Sequence, residues 1–309
     1  MSNSFQDMLD EGVVIEGVEG ITALIDGDIL AHRAANATDG RFYTITGLPG
    51  ESHKYKKDAV AAATKAGLTA KDVEIDFMPE PVSHAVNIVK TLMRTIQQAL
   101  EARHGKVSYE VYLSVPSAEG FRVEVNPAYK ANRVGGRKPK HLDKCKDYLR
   151  RNWRAVSKRQ MEADDLLAIR TGELNKDGQP WVIVSIDKDL KQIAGDHFDF
   201  VNDEYVVVDE TEAKYRLWHQ VLIGDSTDNI FTPRLLGDKK AKAYLDENFD
   251  SSLTKEELLN MCTEVYSEYM EKHMKVKDTS DARCWVEQTY EQVYLKRFED
   301  GKGITEVDS

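Results

Sequence analysis

The chain has 309 residues, of which 41% are hydrophobic and 31% charged. This length and composition allow one large core or two modest ones and exclude a disordered chain. No apolar run is long enough to span a bilayer, and the acidic first residues do not form a signal peptide. The three scattered cysteines, Cys145, Cys262 and Cys284, fit reduced thiols, so we expect a cytoplasmic protein.

The net charge of −11 argues at first against a nucleic-acid partner, but the charges are unevenly distributed. Residues 121–160 contain thirteen Lys or Arg and three acidic residues, a local balance of +10, so the remainder totals −21. A concentrated basic segment in an acidic protein is typical of a phosphate-binding surface. A solvated basic helix is the simpler alternative for this segment taken alone.

Predicted strands and helices alternate along the chain. We expect strands at 21–25, 109–115, 181–186, 198–202 and 205–208, and helices at 82–104, ending before Gly105, and at 211–223, ending at Gly224. Residues 36–80 read as an insertion with a small hairpin and a helix, and no role is assigned to it. This order predicts an α/β fold with a mostly parallel central sheet flanked by helices, whose ligands bind beyond the carboxyl ends of the strands.

Eight acidic residues at four separated places lie where these elements end or begin: Asp26, Glu162, Asp164, Asp165, Asp187, Asp189, Asp225 and Asp228. Carboxylates gathered in one place raise one another's pKa unless a cation compensates them. Oxygen ligands of this kind suit Mg²⁺ or Mn²⁺, and two such ions about 3.5–4 Å apart are common in phosphodiester hydrolysis. The pattern predicts a metal-dependent nuclease.

The local spacing gives each acidic pair an expected geometry. Glu162 and Asp165 are three residues apart and should share a helix face, although acidic residues at a helix start also complement its dipole. Asp187 and Asp189 flank one residue beyond a strand, so alternation should point both carboxylates the same way; a simple turn is the alternative. Asp225 and Asp228 are expected in the turn after the helix that ends at Gly224.

Five motifs in this order resemble the 5′-nuclease family, which includes flap endonucleases, the 5′-exonuclease domain of bacterial DNA polymerase I and phage 5′–3′ exonucleases. They are DGD at 26–28, NPAYKANR at 126–133, EADD at 162–165, DKDLKQI at 187–193 and GDSTDNI at 224–230. The resemblance covers roughly residues 21–245, and the length fits a free-standing phage-type enzyme. It implies a PIN-like nuclease core and a Mg²⁺-dependent exonuclease or flap endonuclease acting on DNA 5′ ends with two metal ions, in phage replication or recombination.

The resemblance also implies roles for single residues. The first metal would be held by Asp26, Glu162, Asp164 and Asp165, and the second by Asp187, Asp189, Asp225 and Asp228. Lys130 and Arg133, one turn apart at a basic helix start, would stabilise charge on the scissile phosphate. Tyr129 is expected to stack on the terminal base of the DNA.

Two further segments resemble DNA-binding parts of the family. A basic run within residues 127–158 resembles the arch that passes single-stranded 5′ ends: Arg137, Lys138, Lys140, Lys144, Lys146, Arg150, Arg151 and Arg154. Residues 235–245 resemble the second half of a helix–three-turn–helix, where Gly237 and the side chains of Lys239, Lys240 and Lys242 would meet phosphates. A plain helical hairpin is the alternative for this second segment.

One departure from the family motif keeps other functions open. The family has an Asp after the strand at 109–115, whereas Ser117 or Pro116 stands there in this chain, with Glu119 nearby. A catalytically impaired branched-DNA-binding protein is therefore an alternative. A PIN-type ribonuclease is disfavoured because such domains are shorter and lack the GDSTDN motif. We expect a monomer with an extension at 1–20, a nuclease core at 21–222, and a helical hairpin with an acidic tail at 223–309.

Overall fold

The computed structural model describes residues 20–232 and 237–297. The predicted N-terminal extension (Gly20 apart), the turn residues 233–236 and the end of the acidic tail lie outside the described residues. The chain divides into two compact units. The first unit contains the described parts of Met1–Asp26, Gln97–Gly136 and Ala155–Ser309, and the second contains Gly27–Ile96 and Arg137–Arg154.

The described strands, in chain order, are β1 (Ile21–Asp26), β2 (Arg41–Ile45), β3 (Ser52–His53), β4 (Val73–Phe77), β5 (Val107–Tyr112), β6 (Trp181–Val184), β7 (Gly195–Asp199) and β8 (Glu204–Val208). The described α-helices are α1 (Gly27–Ala37), α2 (Lys56–Lys65), α3 (Val82–His104), α4 (Phe121–Val125), α5 (Leu142–Trp153), α6 (Ala163–Lys176), α7 (Glu210–Ile223), α8 (Asp238–Asn248), α9 (Lys255–Tyr269) and α10 (Asp281–Val293). Short 3₁₀ turns occupy Ala70–Asp72, Ser117–Glu119, Ala131–Arg133 and Asp189–Gln192, and a π-helical turn occupies Met270–Met274.

The first unit is built on a five-stranded sheet in the order β5-β1-β6-β7-β8. The pairs β1–β5, β1–β6 and β6–β7 are parallel, and only β7–β8 is antiparallel among the pairs of this sheet. This confirms the predicted α/β class. Because β1 lies between β5 and β6 and is almost wholly buried, its carboxyl end at Asp26 lies beside the ends of these two strands. That edge is where a parallel sheet binds its ligands.

Three strand predictions were wrong by two or more residues at an end, and one of them, the strand expected at 181–186, ends at Val184. The strand expected at 109–115 runs from Val107 to Tyr112, because its pairing stops where β1 ends, with Tyr112 opposite Asp26. The strand expected at 198–202 is Gly195–Asp199, since Asp199 accepts hydrogen bonds from the main chain of Val201 and Asn202 and so closes a turn. Gly195 has a φ of +134°, and a Cβ there would lie 2.2 Å from the Trp181 ring, so glycine is required.

The helices of the first unit enclose a second core beside the sheet. The aromatic side chains of Trp218 on α7 and Tyr266 on α9 are fully buried there, with Val286 on α10. Helix α7 ends at Gly224, with a φ of +67°, as predicted. Because α7 shares this core with the helices that follow it, the contacts do not divide the chain at the predicted 222/223 boundary.

The second unit contains an antiparallel sheet in the order β3-β2-β4, with Ala59 and Ala63 of α2 packed beside Ile45 of β2. The predicted hairpin and helix within 36–80 are therefore present, although α1 continues to Ala37. Helix α5, which carries much of the basic run, packs on α1. Within the described ranges, no helix is long and apolar enough to cross a membrane.

Candidate metal centre

Asp26 and Asp187 are linked through the hydroxyl of one serine. Asp26 ends β1 and its side chain is buried. Ser185 follows β6 and donates a 2.9 Å hydrogen bond to Asp26 Oδ2, while the Asp187 N–H donates to Ser185 Oγ at 3.0 Å. Two neighbouring strand ends are thereby held together. Ser185 was missed by sequence reasoning, because a serine after a strand carries no specific signal.

Glu162 precedes α6 and is not part of it. It is the N-cap residue, and it forms a reciprocal capping box with Asp165. The expectation that Glu162 and Asp165 share a helix face is therefore wrong. Glu162 instead caps the first turn of the helix, whose N-terminus favours the negative charge of this carboxylate.

Asp164, in the first turn of α6, is surrounded by other predicted ligands. Burial raises the pKa of its carboxyl well above the usual range, and the charges of Asp26, Asp187, Glu162 and Asp165 raise it further. These carboxylates come from β1, from the loop after β6 and from the start of α6. The structure therefore brings the predicted first group together around Asp164, with Asp187 added to it.

Asp189 belongs to a second group. Strand β6 ends at Val184, so the alternation expected for Asp187 and Asp189 is wrong; the Asp189 N–H instead donates to Asp187 Oδ1 at 2.9 Å and closes a turn. Burial raises the pKa of Asp189 to about 6, with contributions from Asp187 and Asp225 and an opposing one from Lys188. Asp187 therefore faces both groups.

Asp225 and Asp228 lie in one tight turn but face different partners. The main chains of Asp225 and Ile230 pair, and Asp225 Oδ1 accepts from the Thr227 N–H at 2.6 Å. Asp228 is bound by the side chains of Lys130 and Arg133. The resemblance assigned Asp228 to the second group, whereas in the structure it shares a cation with Glu162.

Lys130 bridges two predicted metal ligands. Its Nζ lies 2.5 Å from Glu162 Oε1 and 3.4 Å from Asp228 Oδ2, and Arg133 donates to Asp228 Oδ1. The expected helix start is wrong, because Lys130 has a φ of +54° and only a 3₁₀ turn, Ala131–Arg133, follows it. This turn is fixed by the Lys130 N–H, which donates to the Asp228 carbonyl at 2.8 Å.

Tyr129 is buried, which contradicts the expected stacking on a base. Its ring packs in the helical core with Trp218, and its hydroxyl lies 3.0 Å from both Glu162 Oε2 and Asp228 Oδ2. Burial and the charge of Glu162 raise the pKa of this phenol, so it remains a hydrogen-bond donor. Tyr129 therefore supports the same two carboxylates that Lys130 joins.

Arg122 also belongs to this site, although the sequence analysis did not identify it. It is 2% exposed and binds the fully buried Asp165 through two parallel hydrogen bonds, of 2.6 Å to Oδ2 and 2.8 Å to Oδ1. The guanidinium holds the pKa of Asp165 below its usual range despite burial. The residue stands four positions before the NPAYKANR motif, and no local pattern points to the pairing.

The donor chemistry of the cluster fits a hard divalent cation, although the side chains do not yet enclose one. Across residues 20–232 and 237–297, no three His, Cys, Asp or Glu side chains are placed to hold a single ion. Glu162 and Asp228 are turned to Lys130, and Asp165 to Arg122. Of the eight carboxylates, these basic side chains and that of Arg133 pair only with Glu162, Asp165 and Asp228, and Lys188 acts on Asp189, which leaves negative charge that oxygen-binding cations would compensate.

The predicted DNA-binding residues fall in both units. In the second unit, Arg137 is bound to Asp39 and its guanidinium carbon lies 3.4 Å from the Phe77 ring centre, while Lys138 and Lys140 are exposed. In the first unit, Gly237 is the N-cap of α8, and Lys239 and Lys240 are exposed in its first turn. Helices α7 and α8 pack together, as a helical hairpin requires.

Comparisons with known proteins agree with this geometry. Residues 71–218 match the family described as 5′-3′ exonuclease, N-terminal resolvase-like domain. DNA polymerase I of Rhizobium leguminosarum is 29% identical over 163 residues, which are 48% of this chain and 16% of that protein. The thermostable DNA polymerase I of Thermus aquaticus is 26% identical over 181 residues, 54% of this chain and 21% of that protein.

The fold has been seen before in a phage protein. A structure described as divalent metal ions (zinc) bound to T5 5′-exonuclease superposes with a TM-score of 0.55, at 15% identity, over 89% of each chain. The aligned regions span less than a quarter of the two polymerases. In this chain a mostly parallel sheet has carboxylates at its carboxyl edge. Residues 71–218 of the chain are therefore similar to a 5′-3′ exonuclease domain, and the fold is similar to that of T5 5′-exonuclease.

Proposed function

We propose that the protein is a divalent-metal-dependent 5′-nuclease that hydrolyses DNA phosphodiesters from 5′ ends, as an exonuclease or a flap endonuclease. Two Mg²⁺ or Mn²⁺ ions and a role in phage DNA replication or recombination belong to this proposal. The observation that supports it best is Asp164, a partly buried residue at the carboxyl edge of the sheet, where the charges of Asp26, Asp187, Glu162 and Asp165 help to raise the pKa of its carboxyl. Like charges held this close repel one another, so their retention in the fold is typical of a site that binds cations.

The residues that would hold the metal ions form two neighbouring sets. Asp26 and Asp164 belong to the first, Asp189 and Asp225 to the second, and Asp187 faces both. Glu162 and Asp228 would join them when Lys130 and Arg133 change partners. Divalent ions bound there would polarise the phosphoryl oxygens and lower the pKa of the attacking water. The zinc bound in T5 5′-exonuclease supports the choice of a divalent cation.

Lys130 and Arg133 would act on the substrate once they leave these carboxylates. Each carries a cation at the rim of the acid cluster, and Arg133 is about half exposed. A cation aimed at charge that develops on the phosphoryl group is typically worth about 2.7–4 kcal/mol in the transition state. Tyr129 and Ser185 would stay in place and keep Glu162 and Asp26 oriented.

DNA would be bound through its phosphates in both units. Lys138, Lys140 and Lys144 are exposed on one of them, and Gly237 with Lys239 and Lys240 forms an exposed helix start on the other. Main-chain N–H groups and lysines at a helix start are common phosphate contacts, which position the duplex without reading its sequence. The similarity to DNA polymerase I supports DNA as the substrate.

The test is cleavage of a 5′-labelled DNA flap duplex, with an RNA flap in parallel, over a Mg²⁺ titration with product sizing. We expect metal-dependent cleavage near the 5′ end that stops in EDTA and in Asp187→Asn, and that persists in the exposed control Asp203→Asn. Cleavage that continues in excess EDTA would exclude the proposed chemistry. Binding of the flap without cleavage would favour the impaired DNA-binding protein, for which Ser117 at the expected Asp position is the argument. Preference for RNA would favour the ribonuclease.

A further inference from the structure

The guanidinium of Arg122 has an acceptor for every N–H it carries. Nη1 donates to Asp165 Oδ2 and lies 3.4 Å from Glu162 Oε2. Nη2 donates to Asp165 Oδ1 and to the Tyr294 carbonyl at 2.9 Å, and Nε donates to the Gln292 carbonyl at 2.8 Å. A guanidinium has five N–H donors in a fixed plane, so this orientation is fully determined.

Each carboxylate oxygen of Asp165 likewise accepts two hydrogen bonds from the protein. Oδ1 accepts from Arg122 Nη2 and from the Lys296 N–H at 3.0 Å. Oδ2 accepts from Arg122 Nη1 and from the Glu162 N–H at 3.3 Å. An ionised carboxylate offers about four lone-pair sites, and all of them are used by the protein. Asp165 has no lone pair left for a metal ion.

We propose that Arg122 and Asp165 are positioning residues that fix Glu162 at the metal centre, and that Asp165 is not a metal ligand. Asp165 holds the Glu162 main chain, and Arg122 lies beside the Glu162 carboxylate, so both ends of this residue are set by the pair. Groups behind the ligands of a metal site orient those ligands and so tune metal affinity. This inference rests on the proposed metal site.

The last described segment completes this support. Gln292, Tyr294 and Lys296 supply three of the main-chain groups that bind Arg122 and Asp165. The same segment reaches the 3₁₀ turn that begins at Asp189, because Gln192 Nε2 donates to the Val293 carbonyl at 3.1 Å and Arg297 donates to the Gln192 carbonyl at 2.8 Å. A stretch without an acidic motif thus supports both groups of carboxylates.

The experiment is a calorimetric Mn²⁺ titration of the full chain without DNA, for wild type, Arg122→Gln, Arg122→Lys and Asp165→Asn, below the unfolding temperature of each. Loss of a supporting group typically weakens metal binding by about 10–100-fold. We expect Arg122→Gln and Asp165→Asn to weaken Mn²⁺ binding to a similar extent. Arg122→Lys should lie between these variants and wild type, because it keeps the charge that compensates Asp165 and loses the paired hydrogen bonds. If Arg122→Gln does not fold, the Mn²⁺ affinity of Arg122→Lys tests the proposal in its place.

Arg170→Gln is the matched control. Arg170 lies on α6, the helix of Asp165, and binds Glu110 through two 2.9 Å hydrogen bonds, so its loss should lower stability and leave Mn²⁺ affinity unchanged. Unchanged affinity in the folded Arg122 variants would reduce the pair to a structural role. Tighter binding in Arg122→Gln would show that Asp165 is a ligand released by the change. Wild type that binds no Mn²⁺ would instead overturn the proposed function, a result distinct from both.

Discussion

Lys130 Nζ lies 2.5 Å from Glu162 Oε1, so a residue expected at the substrate is bound to one expected at the metal. This pair keeps a buried carboxylate compensated while no divalent ion is bound. Under the proposed function, binding of an ion by Glu162 and binding of the substrate phosphate by Lys130 would be coupled, since each event frees the other partner.

Lys130→Ala should therefore tighten Mn²⁺ binding and slow cleavage in the same protein. Removal of the ammonium leaves Glu162 open to the ion, whereas the charge on the transition state loses its cation, a loss of roughly 10²–10³ in rate. Calorimetry without DNA and single-turnover cleavage at saturating metal measure the two effects. Arg133→Ala, which leaves Glu162 paired, should affect metal binding less. Weaker Mn²⁺ binding in Lys130→Ala would contradict the coupling.

Asp164→Asn should slow cleavage by roughly 10²-fold or more. The same change should raise the melting temperature of the metal-free protein. The carboxyl sits among other carboxylates, so its charge at neutral pH opposes folding, and the amide removes that charge. Thermal unfolding in EDTA at pH 7.5 checks the second effect. Asp177→Asn, an exposed change beyond the other end of α6, should alter neither property. A less stable Asp164→Asn protein would argue against crowded charges.

Three exposed lysines should account for part of the salt dependence of DNA binding. Changing Lys138, Lys140 and Lys144 together to Ala should flatten the log–log slope by up to about 0.9 for each lost phosphate contact. Lys146→Ala is the control in the same segment, because Lys146 already pairs with Asp28 at 2.7 Å. Titrations of a flap duplex over a salt series in Ca²⁺ give the slopes. If the triple variant keeps the wild-type slope, the basic run is only a solvated face.

Acid should destabilise the protein partly through His197. Burial lowers its pKa below 6.5, helped by Lys191 and Arg216 and opposed by Asp196 and by its hydrogen bond to Ile193. As pH falls through 6.5 the unfolded chain gains a proton that the native state does not, so stability falls by up to about 1.4 kcal/mol per pH unit.

The measurement for His197 is urea unfolding between pH 7.5 and 5. His197→Gln should make the decline of stability with pH shallower, whereas the exposed control His273→Gln should leave it unchanged. Parallel curves for wild type and His197→Gln would mean that this imidazole is protonated in the native state as readily as in the unfolded chain.

The features predicted correctly from sequence were those with a local signal. Strand β1 and helix α3 follow from short-range apolar patterns, and the predicted ends of α3 agree with the structure. The convergence of Asp26 and Asp187 followed from the rule that parallel strands share a carboxyl edge. These patterns are set by residues that are close in sequence, so they can be recognised without knowledge of the tertiary contacts.

The features that were missed or wrong depend on distant contacts. Arg122 meets Asp165 across 43 residues and Gln292 across 170, and nothing near Arg122 announces either partner. Tyr129 looked like a surface aromatic in a basic motif, yet the helical core surrounds it. Glu162 fell one position outside its helix because a capping box, and not helical spacing, sets its direction.

The main-chain groups of Gln292, Tyr294 and Lys296 that bind Arg122 and Asp165 also set an order of events during translation. All four acidic motifs have left the ribosome once residue 228 has emerged, and the basic residues that bind them precede it. The last acceptors of Arg122 emerge more than sixty residues later. A nascent chain therefore carries its complete acid cluster well before the arginine behind that cluster acquires its final orientation.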